Sequence, residues 1–409
     1  MKNPIKALIT TIEPIDGGVP TMTKWMCQVL SENNIMPILA WYAPWRNNPE
    51  LSVPCYKIVD RVPGFVSKKV FGLYEGIGIG CWLPELEFTH YLFNTKWKQL
   101  IQSCQLHICI SGNPLSASPY LVHQIPFLAW IATPWGADRI NRLREFSFTR
   151  QTFDSIANKP FISKLEKHIL RSSLGNIIAL SKYTAKEFEE LSGRPVSDVM
   201  LMPVNTDIFH PDDKMTVKKR IGFSGRFCDP RKNIQLLLEA VRILNQMDAG
   251  FELVLVGEKD FKTLFPRIKE LGIDHCVICN GHLNTKELAQ LIQTFDVFVI
   301  PSHQEGLCIA ALEAMACGVP VISTRCGGPE DFVIPGETGE LVEQEQHHLA
   351  RTILQITSDR ERREKLSRGG YKWIRDNASP EISRQIIKRN LLNLALKNPS
   401  LFELQKLIR

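Results

Sequence analysis

Short apolar and β-branched runs alternate with helix-length amphipathic segments from one end of the chain to the other, the pattern of parallel sheets covered by helices on both faces. In the first half the predicted strands are Ala7–Ile12, Met36–Trp41, Leu106–Ser111, Pro126–Thr133, Asn176–Leu180 and Val199–Pro203. Residues 44–86 lose this rhythm, because Pro44, Pro49, Pro54, Pro63, Pro84 and the glycines Gly76, Gly78 and Gly80 interrupt it; loops with one or two short helices are expected there. Residues 205–219, with Pro211, Asp212 and Asp213 and few apolar positions, read as a linker. A second series of predicted strands follows: Arg220–Ser224, Glu252–Val256, Val277–Gly281, Val297–Pro301 and Val319–Thr324. From Asp359 the chain reads as helical, with Pro380 suited to a first helical turn. The expected fold class is α/β, with two doubly wound parallel sheets facing across a cleft. The expected divisions are a first domain over 1–204, the linker, a second domain over 220–379, and a helical segment over 380–409 that packs back toward the first domain. In such sheets ligands bind outside the carboxyl ends of the strands, so the functional cleft is expected between the domains.

Composition narrows the function classes. The 409 residues are 44% hydrophobic and 22% charged, ordinary for a globular chain of two or three domains. A net charge of +6 over this length is too small to announce a nucleic-acid partner. The most apolar stretch, Phe127–Trp135, is far short of a membrane span, and Ala7–Ile12 is too short for a signal-peptide core. A cytoplasmic protein is expected. Its eleven cysteines read as reduced thiols rather than a disulfide framework.

Three segments carry candidate chemistry. Gly17 and Gly18 follow the first strand and open a helix, where backbone N–H groups can approach a phosphate. Gly225-Arg226 ends a strand and Arg231-Lys232-Asn233 begins a helix, which puts two cations and the positive end of a helix dipole on one side of the cleft. The sharpest segment runs from Pro301 to Pro320: strand end, Gly-containing loop, helix, Gly stop, next strand. Glu305 falls in its loop and Glu313 in its helix, and carboxylates suit bidentate hydrogen bonds to vicinal sugar hydroxyls.

Taken together, the ordered set resembles the retaining glycosyltransferases of family 4, with two Rossmann-like domains in the GT-B architecture. The resemblance rests on the Gly17-Gly18 turn, the block from Gly225 to Asn233, and the Glu-x7-Glu motif from Glu305 to Glu313. Leu180 to Thr184, Pro203 to Phe209, and Gly327 to Asp331 followed by Gly336 to Gly339 support it. The resemblance implies that Arg226 and Lys232 bind the diphosphate of a UDP- or GDP-sugar, with Gly17 and Gly18 approaching the distal phosphate. It further implies that Glu313 holds the ribose hydroxyls and that Glu305 contacts the donor sugar. Gly225, Gly306 and Leu307 would lie near sugar or phosphate, and Leu283 would border the base. Catalytic weight would fall on Arg226, Lys232 and Glu305, and the scheme requires no metal and no cofactor beyond the donor. In this family the leaving phosphate is thought to help deprotonate the acceptor on the same face, giving retention.

Relatives place a His in the first domain beside the donor sugar, but here Pro126–Thr133 leads into Pro134-Trp135-Gly136-Ala137-Asp138 and no His stands there. Thr133, Trp135 and Asp138 are the candidates for that space; His123 precedes the strand and reads as a helix-surface residue. A zinc reading of His275, Cys276, Cys279 and His282 is disfavoured, because strand alternation sends the two cysteines to opposite faces.

Residues 1–200 hold 21 Lys+Arg against 16 Asp+Glu, and the rest 28 against 27, so the charge excess lies in the acceptor-side domain. Arg61, Lys68 and Lys69 interleave with Phe65, Val66, Val70 and Phe71, and Arg139, Arg142, Arg144 and Arg150 lie near Phe146 and Phe148. Such a surface suits an anionic lipid, or a lipid-linked or phosphorylated acceptor, and peripheral association with the inner membrane face. The leading expectation is transfer of a sugar from a nucleotide donor to an acceptor hydroxyl. The alternatives are a nucleotide-sugar epimerase of related architecture and a non-catalytic nucleotide-sugar-binding protein.

Overall fold

The computed structural model describes residues 4–15, 17–92, 94–137, 139, 147–212, 218–248, 250–257, 261–398 and 401. They fall into two compact units: Met1–Met200 together with Arg384–Arg409, and Leu201–Ser383. The candidates Asp138, Arg142, Arg144, Phe146 and Asp213 lie outside the described residues.

The first unit is built on an eight-stranded sheet in the order β3-β4-β2-β1-β5-β6-β7-β8. Its strands are β1 (Ile5–Thr11), β2 (Ile35–Tyr42), β3 (Phe65–Val70), β4 (Tyr74–Ile79), β5 (Leu106–Ser111), β6 (Phe127–Ile131), β7 (Gly175–Ala179) and β8 (Asp198–Val199). All pairings are parallel except β3 with β4. The parallel strands are buried on both faces, which is why β5 and β6 read as continuous apolar runs rather than alternating ones. Trp41, Trp97, Trp130 and Phe127 are among the largest fully buried side chains, and the Trp130 indole N–H donates to the Met200 carbonyl at 2.9 Å.

The hairpin β3–β4 overturns the expectation of loops and short helices over 44–86. Gly76 and Gly78 sit in β4 beside β2, on the face that receives the Trp41 ring. A Cβ at Gly76 would stand 2.2 Å from Val70 Cγ2 and 2.9 Å from that ring, and one at Gly78 3.1 Å from Val66 Cγ1 and 3.2 Å from the indole nitrogen. The glycines that read as breakers are therefore spaced at the period of a strand, making room for Trp41 and for Val66 and Val70 of β3.

The second unit carries a six-stranded, all-parallel sheet in the order β11-β10-β9-β12-β13-β14. Its strands are β9 (Arg220–Gly225), β10 (Glu252–Gly257), β11 (Val277–Asn280), β12 (Val297–Ile300), β13 (Val321–Thr324) and β14 (Gly339–Val342), the last missed in the sequence. Helices Ile234–Met247 and Gln346–Ser358 pack together over a core that includes Ile221, Leu237, Val241, Val297 and Ile353. The helix Arg360–Asn377 follows, and Pro380–Lys397 carries the chain back into the first unit. There Asn390 donates to Asp198 at 3.0 Å, and a cavity of about 360 Å³ is lined by Asn176, Ser197, Asn390, Asn393 and Leu396. With no ionisable side chain in its lining, that cavity offers no acid, base or cation for chemistry.

Candidate active site

Strand order in the second unit locates the site. Beginning from β9, the chain adds β10 and β11 on one side and β12, β13 and β14 on the other, so the switch point lies between β9 and β12. The segment after β9 turns through the short 3-10 helix Pro230–Lys232, passes Asn233 in the left-handed region (φ 47°) and enters the helix Ile234–Met247. The segment after β12 runs through Ser302 and Glu305 to the helix Ile309–Ala316. Lys232 Nζ meets Glu305 Oε1 across the switch point at 2.6 Å.

Both partners are largely withdrawn from water. Burial alone would lower the Lys232 pKa, but the adjoining Glu305 carboxylate outweighs it and holds the ammonium above the ordinary lysine value. Ser302 Oγ donates to the same Glu305 oxygen at 2.6 Å, and Thr324 Oγ1 donates to the Ser302 carbonyl at 2.5 Å, which fixes the carboxylate from below. The Glu305 backbone is pinned to the next strand's loop: its N–H donates to Cys326 O at 2.8 Å, and Gly328 N donates to its carbonyl at 2.9 Å. A Cβ on Gly328 would stand 2.2 Å from Gly306 O and 2.7 Å from Leu307 N, so only glycine allows the two loops to close on each other there.

Arg226 is placed differently. Its side chain is 56% exposed against 16% for Lys232, and its guanidinium reaches Asp229 Oδ2 at 3.0 Å. Asp229 also accepts two hydrogen bonds from the Arg231 guanidinium, at 3.1 and 2.7 Å. Burial would raise its carboxyl pKa, but Arg231 and Arg226 together hold it at about 2. The acid therefore organises the basic loop, with Arg226 on its open side.

Glu313 lies in the helix Ile309–Ala316, whose Ala311, Ala314 and Ala316 are fully buried. Its half-buried carboxyl has no hydrogen bond or ion pair among the described residues, and burial pushes its pKa up to about 8. Cys308 opens this helix at φ 71° and lies within electrostatic reach of Glu305, Lys232 and Glu313; burial pushes its thiol up to about 12. Gly225 ends β9, where an added Cβ would stand 3.3 Å from the Phe223 ring and 3.7 Å from Lys232 Cε, and Gly306 and Leu307 line the Gly328 contact. Leu283 sits past the end of β11, two strands from β9.

Sequence reasoning assigned no role to Ser302, whose Ser-x-x-Glu spacing before Glu305 was the available signal. It also missed Gln304, whose amide nitrogen and oxygen are both buried without a partner among the described residues.

In the first unit, Gly17 (φ 115°) precedes the helix Gly18–Glu32 and, being glycine, offers it no side-chain cap. Thr133 is buried, with its hydroxyl unpartnered among the described residues. Trp135 is also buried; its indole N–H donates to Glu87 at 2.7 Å and its backbone N–H to Glu166 at 2.8 Å. Arg139 lies over the Trp135 ring and pairs with both Glu87 and Asp154. Trp135 is therefore fixed from several sides, with both its N–H groups engaged. Among the described residues no three His, Cys, Asp or Glu side chains could hold a metal ion, and no helix is long and apolar enough to cross a membrane.

Residues 205–373 match the family model described as Glycosyl transferases group 1. The chain is 32% identical over 209 residues to a probable sucrose-phosphate synthase of Thermosipho melanesiensis, covering 47% of each chain. It is 30% identical over 217 residues to a GDP-mannose-dependent alpha-(1-6)-phosphatidylinositol monomannoside mannosyltransferase of Mycolicibacterium smegmatis, covering 48% of this chain and 57% of that one. The chain thus spans about half the length of these curated relatives. Among solved structures, the sucrose-phosphate synthase of Thermosynechococcus elongatus superposes with a TM-score of 0.74 at 18% identity, covering 96% of this chain and 100% of that one. Anabaena HepE, solved in complex with UDP and glucose, superposes with a TM-score of 0.67 at 16% identity, covering 95% and 100%. The fold is that of the GT-B glycosyltransferases.

Proposed function

We propose, on the premise that residues 205–373 are a glycosyltransferase group 1 domain in a chain of GT-B fold, that this protein moves a sugar from a nucleotide-diphosphate donor to an acceptor hydroxyl with retention. The observation that carries the reading is the 2.6 Å pairing of Lys232 with Glu305 at the switch point, with Glu313 on the helix that follows Glu305. Lys232 and Arg226 would take the diphosphate, Glu313 the ribose hydroxyls, Glu305 a donor-sugar hydroxyl, and the backbone of Gly306 and Leu307 the sugar or phosphate. Leu283 would border the base, and Gly17 and Gly18 would offer backbone N–H groups to phosphate.

Charge then dictates the chemistry. Cleaving the anomeric C–O bond builds positive character on the sugar and negative charge on the leaving diphosphate. A cation already fixed before the reaction stabilises that developing charge without reorganising. Lys232 fits this role because Glu305, itself held by Ser302, fixes the ammonium and burial shields it from water. The leaving phosphate would accept the acceptor's proton on the same face.

Both UDP- and GDP-sugars belong in the donor set: the Anabaena structure holds UDP, and the Mycolicibacterium relative is named for GDP-mannose. Incubation of the purified chain with a panel of both tests the reading; slow donor hydrolysis of at least one is expected, and no hydrolysis and no nucleotide binding would overturn it. Conversion of the donor to an epimer without acceptor would favour the epimerase reading instead. We also propose that the enzyme works peripherally at a membrane carrying its acceptor, supported by the basic excess of residues 1–200.

A further inference from the structure

One helical run of the first unit carries large exposed apolar side chains among exposed lysines. Residues 148–171 form the helix Phe148–Phe153, a single π-turn over Asp154–Asn158, and the helix Lys159–Arg171 without interruption. The wide turn directs both Asp154 and Asn158 inward, where Asp154 pairs with Arg139 and Asn158 accepts from Glu87 N at 2.8 Å. Glu166, the run's other acid, is buried against the Trp135 N–H. Every carboxylate of the run is thus turned into the protein.

What faces outward is apolar and basic. Phe148 is 83% exposed and Ile156 71%, and Phe153 and Phe161 are exposed as well. Lys159, Lys164 and Lys167 stand among them, exposed and without an ion-pair partner among the described residues. In the other exposed apolar stretch, from Tyr56 to Leu73, part of the positive charge is taken up within the fold, although Lys57 lies over the Tyr56 ring without an ion-pair partner among the described residues. Its Arg61 is spent on the Pro49 and Ser52 carbonyls, Lys68 pairs with Glu13 at 3.0 Å, and Lys69 stands opposite Glu75.

We infer that the outer face of residues 148–168 docks on an anionic lipid surface, lying in the plane of the interface with Phe148, Phe153, Ile156 and Phe161 among the acyl chains and Lys159, Lys164 and Lys167 at the headgroups. Uncompensated cations interleaved with large apolar side chains on one helical face provide both attractions that such binding needs, and a face stripped of carboxylates removes the repulsion that would oppose it. The inference rests on the peripheral-membrane reading and is independent of the donor assignments.

Sedimentation of the full chain with vesicles of phosphatidylcholine alone, and of equimolar phosphatidylcholine and phosphatidylglycerol, tests it. The chain is expected to sediment with the anionic vesicles only. Lys164→Glu with Lys167→Glu, and separately Phe148→Ser with Ile156→Ser, are each expected to lower the partition coefficient by at least about tenfold at unchanged Tm. A wild-type chain that stays in the supernatant overturns both this inference and the peripheral reading. Equal binding to both vesicles overturns the demand for anionic lipid. Unchanged binding by both variant pairs overturns the assignment to this face alone. A dimer that Phe148→Ser with Ile156→Ser dissociates, without vesicle binding, would give the face to a second copy. Donor hydrolysis by the same samples without vesicles reports separately on the transferase reading.

Discussion

Lys232 Nζ and Glu305 Oε1 lie 2.6 Å apart, though their residues are 73 positions apart in the chain. One follows the first strand of its sheet and the other follows the strand on the opposite side of the switch point. Neither local spacing nor periodicity links them; the parallel topology does. The pair joins the two segments that bear the candidate donor chemistry.

Replacing the lysine should expose that dependence. Lys232→Ala is expected to lower turnover by about 10²–10³-fold, the scale on which a preorganised donor to developing negative charge contributes. It also leaves Glu305 buried with only Ser302 for a partner, so a lower Tm is expected with it. Initial rates taken below both melting transitions, with circular dichroism to verify the fold, separate the two effects; near-normal turnover would remove Lys232 from the mechanism.

Arg226→Ala should behave differently although the same role is proposed for it. The guanidinium is mostly exposed, and Asp229 keeps its two bonds from Arg231. Tm is expected to move by no more than a degree or so, roughly the effect of a surface substitution. Turnover and nucleotide-diphosphate affinity are expected to fall by at least about tenfold. Calorimetric titration of the variant with UDP and GDP checks this, and unchanged affinity would detach Arg226 from the diphosphate.

Glu313 predicts a pH signature. With its pKa near 8, the unliganded carboxyl is largely protonated at neutral pH. Ribose hydroxyls donating to it favour the ionised form, so nucleotide binding should release a proton and tighten as pH rises from about 6 to about 8. Glu313→Gln should flatten that rise in calorimetry run in buffers of different ionisation enthalpy; a flat wild-type profile would sink the ribose assignment. The stability sign follows from the raised folded-state value: the benefit of keeping this group neutral is full below its ordinary value of 4.5 and is lost as pH climbs toward about 8. Glu313→Gln should therefore gain Tm over wild type near the upper value and little near the lower, which differential scanning calorimetry can read.

Gly328→Ala tests whether the loop closure behind the site matters. The added methyl would meet the Gly306 carbonyl and the Leu307 amide, both backbone atoms, so the two loops must part. A loss of about 2–4 kcal/mol of stability is expected, on the scale of overpacking a closed site, with a raised KM for the donor. A variant of wild-type Tm and KM would show that the loops yield freely.

Much of this arrangement was legible beforehand because the decisive residues sit in segments with strong local grammar. Strand, glycine, cation and helix start recur around Arg226 and Lys232; strand, loop, carboxylate and alanine-rich helix surround Glu305 and Glu313. What escaped depends on partners distant in sequence. Gly76 and Gly78 read as breakers until the Trp41 ring is seen over them, and β14 sets a glycine and a glutamate beside only two apolar residues, so it lacks the apolar run of its neighbours. Trp135 looked available for an acceptor, yet Glu87 and Glu166, 48 and 31 residues away, engage its N–H groups. Nothing in local spacing singles out Asp229, which the fold makes the anchor of the basic loop.

The route of the final helix has a practical consequence. Because Pro380–Lys397 begins in the second unit and continues as part of the first, the polypeptide passes between the units twice, after Met200 and again after Ser383. A single proteolytic nick at either passage would free neither half. A piece ended at Ser383 would strip Asn176 and Asp198 of the Asn390 contacts that cover them, so dissecting this protein into working halves calls for circular permutation rather than truncation.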